Sequence, residues 1–394
     1  MNRCRTQREH LLVYEPQIEG HHLVYLRCIA ENLLAAGFKL TLALDQRPEA
    51  QPRIQERLGD LLSRATVIPA RDQTGWTAGR GQADTVAACQ QRAGAKEAFV
   101  CCLDEIASPC LRRAAFGLMP PPLLRGVLGG IYLRPRFLAG GRFSPNQWLK
   151  RRGFARLLQE GWFCRILFLD EYLRASLKAK LPAAPFYFLP EPCPEFRGPD
   201  KAQARERLGL PGKARIFLFY GGPYKRKGLD LAVAAMLALP PSSRAFLFCV
   251  GVQPSDAAIA RGLERLNRMQ RAHSINHFVL DYEEELSFAA CDAVLLPYRK
   301  HFGSSAVLAR AAAAGKPVIA SDEELIGRRV REHNLGPLFP SGSVAALRDC
   351  LAQITDLPDD QLAQWSPWAK KYARSCSPEA FRCALLEAFD RSHC

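Results

Sequence analysis

Among 394 residues there is no CxxC pair, no apolar run of 18 residues, and no short-period repeat. The missing CxxC spacing argues against a structural zinc site, and the 14 cysteines are scattered, with Cys101 and Cys102 adjacent. Several lie in apolar, strand-like runs, where a free thiol behaves as a small hydrophobe, so reduced cysteines and a cytoplasmic setting are expected. Without an 18-residue apolar stretch, no bilayer-spanning helix is expected. The opening residues MNRCRTQREHLLVYEP carry charges throughout and lack an apolar core, so no secretory signal is expected. Of the 28 prolines, six fall within the twenty residues 181–200.

Acidic residues are nearly absent from one stretch. Residues 111–165 hold eleven Lys or Arg and a single acid, Glu160, so 11 − 1 = +10 of the chain's formal +15 sits there. Leu123, Leu124, Phe137, Phe143 and Trp148 are interleaved with these cations. That mixture suits an anionic partner, whether a membrane surface (a peripheral contact at the inner membrane face), an acidic acceptor or nucleic acid; it equally suits a solvated helical face. Nucleic acid is not the expected partner. The overall balance, 48% hydrophobic and 24% charged, is that of a globular protein, and the length suits two domains.

Strand and helix signals alternate along the chain. Apolar runs at 10–16, 39–45, 65–70, 98–104 and 165–170 read as strands, and residues 22–36 as an amphipathic helix stopped by Gly37. The proline-rich stretch interrupts the pattern and reads as a linker without strand or helix. The alternation then restarts with strands expected at 214–222, 244–252, 277–281, 291–298 and 316–322. Helices are expected at 229–239, 286–290, 343–355 and 378–389. Such βαβ units build parallel sheets, which bind ligands outside the carboxyl ends of their strands.

Several segments resemble glycosyltransferase family 4, whose members have the GT-B architecture. YGGPYKRKGLDLAVAA (220–235) is similar to the glycine turn and Lys-Gly signature opening that family's second domain. FGSSAVLARAAAAGKPVIASD (302–322) is similar to its donor-binding helix and following strand, with CDAVLLPY upstream and GRRVREHNLG downstream. EGHHLVYLRCIAENLLAAGFKLTLALD (19–45) resembles the family's first loop, helix and second strand. The resemblance implies two Rossmann-like domains facing a central cleft. Residues 1–195 would be the acceptor-side domain and 196–365 the nucleotide-sugar-binding domain. Residues 366–394 would be a helical tail with the option of packing back on the first domain. It further implies transfer of a sugar from a nucleotide-sugar donor to a saccharide or lipid-linked acceptor, with retention and without a bound cofactor or metal. No Asp-x-Asp motif is present to hold a divalent cation.

The candidate donor-binding residues are Gly221, Gly222, Arg226, Lys227, Glu283, Ser304, Ser305 and Arg310. Glycines allow close backbone approach, and cations stabilise the charge growing on a departing nucleoside diphosphate. A helix starting near Ser304 or Ser305 presents unpaired N–H groups to phosphate. Family resemblance puts Lys227 at the donor-phosphate lysine, while Lys225 reads as the most solvated of its run. His21, His22 and Asp104 are the catalytic candidates; His21 and His22 lie on the loop after the first strand, and Asp104 and Asp170 are expected at strand ends.

The family's two acidic positions on the donor helix correspond to Phe302 and Arg310, and its glycine-turn arginine to Gly222. Glu283, Glu284, Glu285, Glu323 or Glu324 would then have to supply carboxylates. These departures keep two other readings open, a non-catalytic binding protein of the same fold and a sugar-nucleotide epimerase.

Overall fold

The computed structural model describes residues 9–20, 22–77, 82–139, 144–222 and 224–390. They form two compact units, one of the described residues up to Pro190 together with those from Phe381 on, the other of those between Glu191 and Ala380.

The first unit is built on an eight-stranded sheet of β1 (His10–Tyr14), β2 (Lys39–Asp45), β3 (Thr66–Asp72), β4 (Gly75–Trp76), β5 (Glu97–Val100), β6 (Leu128–Tyr132), β7 (Phe163–Phe168) and β8 (Phe186–Phe188). Their order is β4-β3-β2-β1-β5-β6-β7-β8, parallel throughout except for the β3–β4 hairpin. The central strands are continuous apolar runs because helices cover both faces, and one hydrophobic cluster lies on each side. Sequence grows from β1 toward β4 in one direction and from β5 toward β8 in the other, so the order reverses between β1 and β5.

The second unit carries β9 (Arg215–Tyr220), β10 (Ala245–Val250), β11 (Ala272–Ile275), β12 (Ala293–Leu296), β13 (Val318–Ser321) and β14 (Leu338–Phe339). All six are parallel in the order β11-β10-β9-β12-β13-β14, with the reversal between β9 and β12. At the opposite end of β9 the buried Asp292 accepts from Arg205 at 2.7 Å, Lys201 at 3.1 Å and the Ile216 amide at 2.7 Å. Those cations are thereby accounted for by folding.

Most expected elements are present, and the exceptions have local causes. The third strand of the second unit is Ala272–Ile275, whereas 277–281 is a loop exposing Phe278 and Leu280 ahead of the helix Asp281–Ala290. The proline-rich stretch contains a strand after all. Phe186–Phe188 pairs with β7 at the sheet edge, and Pro185 and Pro190 flank the strand without entering it.

The last residues are shared between the units. The helix Ser366–Ser375 places Ala369 and Tyr372 in the core of the second, whereas Phe381, Leu385 and Phe389 of the helix Pro378–Phe389 enter the core of the first. Arg165, buried beside Glu97, donates to the carbonyl of Ala388 at 2.9 Å and lies 4.0 Å from the Phe389 ring. Within the second unit the entering and leaving segments touch, the Cys193 amide donating to the Cys376 carbonyl at 3.1 Å.

Candidate functional site

The reversal between β9 and β12 puts the loops after these two strands side by side, where open parallel sheets receive ligands. The β9 loop turns through Gly221 (φ 142°) into a single 3-10 turn, Lys225–Lys227, which ends at Gly228. Gly228 has φ 76°, and a Cβ there would lie 2.0 Å from the Pro297 carbonyl oxygen. Only glycine permits this approach of the two loops. Arg299 fastens them further. Its guanidinium donates to the Lys225 carbonyl at 3.0 Å and to Asp230 at 2.6 and 2.9 Å, and its amide to the Arg226 carbonyl at 2.9 Å.

Within this frame the Lys227 ammonium donates to the Tyr298 hydroxyl at 2.7 Å and lies 4.2 Å from the centre of the Tyr298 ring. Tyr298 is fully buried, so the lysine is drawn over an apolar plane that keeps its charge near the end of β12. Arg226 lies over the exposed ring of Tyr224 at 4.6 Å, and Lys225 is exposed. Gly222 remains in the turn between β9 and these cations.

Beyond Tyr298 the chain passes Lys300, held at φ 51°, to the buried His301. The His301 ring sits 4.8 Å from that of Tyr298, and its Nε2 is 3.1 Å from the Ser304 carbonyl oxygen. The helix Ala306–Ala313 then begins, capped by Ser305, whose hydroxyl accepts the Leu308 amide at 3.3 Å. The Ala306 and Val307 amides lie outside the intrahelical ladder and form the positive end. Ser304 is differently engaged: its hydroxyl donates to the buried carboxylate of Glu191. A carboxylate thus already sits beside the helix start.

Two expected donor ligands have other work. Arg310 is buried and bound inside the unit: its guanidinium lies 2.7 Å from Glu284, donates to Glu285 at 3.0 Å, and reaches the carbonyls of Pro194 at 3.2 Å and Glu195 at 3.5 Å. It ties the linker to the helix Asp281–Ala290 and is not presented to a phosphate. Glu283 caps that same helix, accepting the Leu280 amide at 3.0 Å and contacting His277 at 3.1 Å. The Leu280 amide, aided by His277, keeps this carboxyl below the usual glutamate range. Glu284 also accepts the Tyr220 hydroxyl at 2.7 Å, at the end of β9. Glu323 accepts the Lys300 amide at 2.9 Å and the Ser341 hydroxyl at 2.7 Å.

In the first unit the reversal between β1 and β5 gathers a second set of polar groups. Glu15, buried at the end of β1, lies 2.9 Å from His22 Nδ1 and accepts the Gln17 amide at 2.9 Å. The Gln17 side chain donates to Glu105 at 3.0 Å. Burial raises the Glu15 pKa, against the opposing influence of His22. Burial alone would lower His22, but the Glu15 hydrogen bond and the Glu15 and Glu105 charges outweigh it, and the imidazole is raised. His21 lies outside the described residues.

Asp104 is not at a strand end. It stands in the first turn of the helix Leu103–Ala114 and accepts the Leu133 amide at 2.7 Å and the Arg134 amide at 3.0 Å. Both oxygens are taken by backbone, which makes it a holder of the loop after β6. Asp170 likewise caps the helix Glu171–Lys180, accepting the Tyr172 and Leu173 amides. Sequence reasoning missed Glu191, because a proline-rich linker reads as a spacer, and Tyr298, whose ring was read as the end of a strand. It also missed Glu15, which followed an apolar run without an evident partner.

Comparison with known proteins agrees with this fold. Residues 200–372 match the family model described as glycosyl transferases group 1. The chain is 28% identical over 207 residues to D-inositol 3-phosphate glycosyltransferase 2 of Catenulispora acidiphila, covering 50% of this chain and 48% of that protein. It is 34% identical over 175 residues to D-inositol 3-phosphate glycosyltransferase of Streptomyces scabiei, covering 42% and 39%. It thus spans about half the length, or less, of the curated relatives it matches. Among solved structures, sucrose-phosphate synthase from Thermosynechococcus elongatus superposes with a TM-score of 0.69 at 16% identity, over 97% of this chain and 98% of that one. WaaG, a glycosyltransferase involved in lipopolysaccharide biosynthesis, gives 0.67 at 17% identity, over 96% and 98%. Anabaena HepE in complex with UDP and glucose gives 0.67 at 15%, over 97% and 99%. Residues 200–372 are thus similar to the glycosyl transferases group 1 family, and the chain has the two-unit Rossmann-like fold of GT-B glycosyltransferases.

Proposed function

We propose that the protein transfers a sugar from a nucleotide-sugar donor to a saccharide or lipid-linked acceptor. The observation that carries the reading is Lys227 anchored on Tyr298 at the reversal between β9 and β12, with the helix Ala306–Ala313 opening a few residues further along the same β12 loop. In the reaction an acceptor hydroxyl oxygen bonds to the anomeric carbon and gives up its proton, while the bond from that carbon to the phosphate oxygen breaks and its electron pair leaves with the nucleoside diphosphate. Lys227, Arg226 and the amides at the helix start would carry that charge, which grows as the bond lengthens. The solved structure of HepE with UDP and glucose supports the ligand class. Retention without a bound metal is part of the proposal, with the cations and helix end supplying the positive charge.

The test is Lys227→Ala in an assay of sugar-nucleotide hydrolysis and transfer, with a melting curve alongside. Turnover should fall at least about a hundredfold while the melting temperature stays within a few degrees. Unchanged turnover sinks the reading. The Glu191 carboxylate beside Ser304 and the commitment of Arg310 favour one rival, a binding protein of this fold without catalysis. Its signature would be that no sugar nucleotide raises the melting temperature.

For localisation we propose a cytoplasmic protein with a peripheral contact at the inner membrane face through residues 111–165. Among the described residues no helix is long and apolar enough to cross a membrane. Phe116, Leu118, Leu123 and Trp148 are exposed, and Arg112, Arg113, Arg125, Arg151 and Arg152 are exposed in the same segments. The helices Leu103–Ala114 and Pro145–Gln159, which carry several of these residues, pack on each other. Apolar side chains set among cations support docking on anionic lipid. Sedimentation with phosphatidylglycerol vesicles should fall with added salt and with Arg151→Glu/Arg152→Glu; no binding at low salt would reject it.

A further inference from the structure

Away from the β9–β12 loops, the carboxyl ends of β2 and β3 border two adjoining cavities. One, of about 390 Å³, lies between the loop after β1 and these strands; the other, of about 470 Å³, shares Arg47, Glu49 and Arg71 with it. Three arginines face this space, and two are neutralised locally. Arg47 forms a two-pronged pair with the buried Asp45, Nε at 3.0 Å and Nη2 at 2.7 Å, and reaches Glu49 at 2.9 Å. Arg53 pairs with Glu19 at 2.7 Å.

Arg71 differs. Among the described residues no carboxylate lies within ion-pair distance of it, and its Nε is buried without a hydrogen-bond partner. Its guanidinium lies 5.2 Å from the ring of Trp76, the residue opposite it in the β3–β4 hairpin. A buried guanidinium donor left without an acceptor costs free energy, and a planar fork of N–H groups fits an oxyanion. Trp76 also borders the smaller cavity, as does Gln17, which is tied to both Glu15 and Glu105. An aromatic plane with adjacent polar groups is the lining that orients a sugar or polyol.

We propose that these cavities form a subsite for an anionic saccharide or polyol, with Arg71 holding a phosphate or carboxylate and Trp76 packing against the ring. Calling this ligand the acceptor rests on the transferase reading above; the subsite itself does not. The anion would be a fixed part of the acceptor, so the enzyme selects acceptors by charge as well as by hydroxyl pattern.

The experiment is calorimetric and fluorimetric titration of the full chain with glucose 6-phosphate, glucuronate, glucose and inorganic phosphate, with no sugar nucleotide present. At least one anionic sugar should bind more tightly than both glucose and inorganic phosphate, and the tighter of the two identifies the anion. Arg71→Gln should weaken that binding by about tenfold or more, as expected for loss of a charged hydrogen bond, and leave any glucose binding unchanged. Trp76→Phe should abolish the fluorescence change while keeping most of the affinity, which checks the location even if Arg71→Gln folds poorly. Equal binding by Arg71→Gln, a fluorescence change that survives Trp76→Phe, or anionic sugars no tighter than glucose would each overturn the subsite. A wild-type protein that binds the anionic sugar yet turns over no sugar nucleotide would instead reject the transferase reading and leave the subsite standing.

Discussion

Lys227 is held by Tyr298 in two ways at once, through a 2.7 Å hydrogen bond to the hydroxyl and a 4.2 Å approach to the ring. The two contacts separate cleanly by substitution. Tyr298→Phe keeps the aromatic plane and removes the hydroxyl, leaving the lysine to find another acceptor. Affinity for a nucleoside diphosphate should change by about three- to tenfold, the scale of one hydrogen bond, with little loss of stability. Calorimetric titration with UDP measures it, and an unchanged affinity would mean that the hydroxyl does not position the lysine.

Gly228 is a backbone requirement. Alanine there would combine a left-handed conformation with a Cβ 2.0 Å from the Pro297 carbonyl oxygen. Gly228→Ala should destabilise the protein by more than about 2 kcal/mol, read by chemical denaturation. A neutral result would mean that the two loops separate at little cost.

Arg310 stands where the resembling family has an acid, so restoring the acid is an informative change. Arg310→Ala leaves Glu284 and Glu285 without the cation they share in a half-buried site and should cost about 2–4 kcal/mol. Arg310→Glu adds a third negative charge and should be worse, not better, in both stability and activity. A gain in turnover with Arg310→Glu would show that the family's ribose contact can be rebuilt here.

The Glu15–His22 pair predicts a pH effect on stability. The folded protein holds the His22 proton more tightly than the unfolded chain, whose reference value is 6.5. The resulting stabilisation is fully present below pH 6.5 and is lost as the pH rises through the raised folded value. Burial raises Glu15 above its reference of 4.5, which also favours the lower pH. Melting temperature should therefore decline from about pH 6 toward pH 8, and His22→Gln should flatten that slope. Titration of His22 by NMR gives the folded value directly.

Much of this fold was legible because parallel strands covered on both sides are nearly unbroken apolar runs. KLTLALD became β2 residue for residue, and the helix Pro378–Phe389 has the bounds that its spacing predicts. One miss is the internal strand Leu128–Tyr132, whose apolar run is broken by Gly129 and Gly130; others are short or edge elements. Gly75–Trp76, Phe186–Phe188 and Leu338–Phe339 are two or three residues long, too short for any period to register. At the candidate site, residue type located Lys227 and Ser305, since a lysine after a glycine turn and a serine before an alanine-rich helix carry local signals. Partners distant in sequence were invisible. Nothing around Arg310 announces Glu284 and Glu285, and nothing in the linker announces that Glu191 will meet Ser304 across 113 positions.

The sharing of the C-terminal residues has a covalent consequence. Residues 191–380 are one uninterrupted length of chain, whereas the other unit is completed only when the polypeptide returns to it at Phe381. In gene-architecture terms the second unit is an insertion, entered and left at two backbones joined by the Cys193–Cys376 hydrogen bond. A chain stopped after Pro190 would therefore leave the sheet without the side chains of Phe381, Leu385 and Phe389, and should aggregate. Splicing residue 190 to residue 381 through a short linker should instead give a soluble fragment, and new termini opened within residues 191–380 should be tolerated more readily than a stop codon after Pro190.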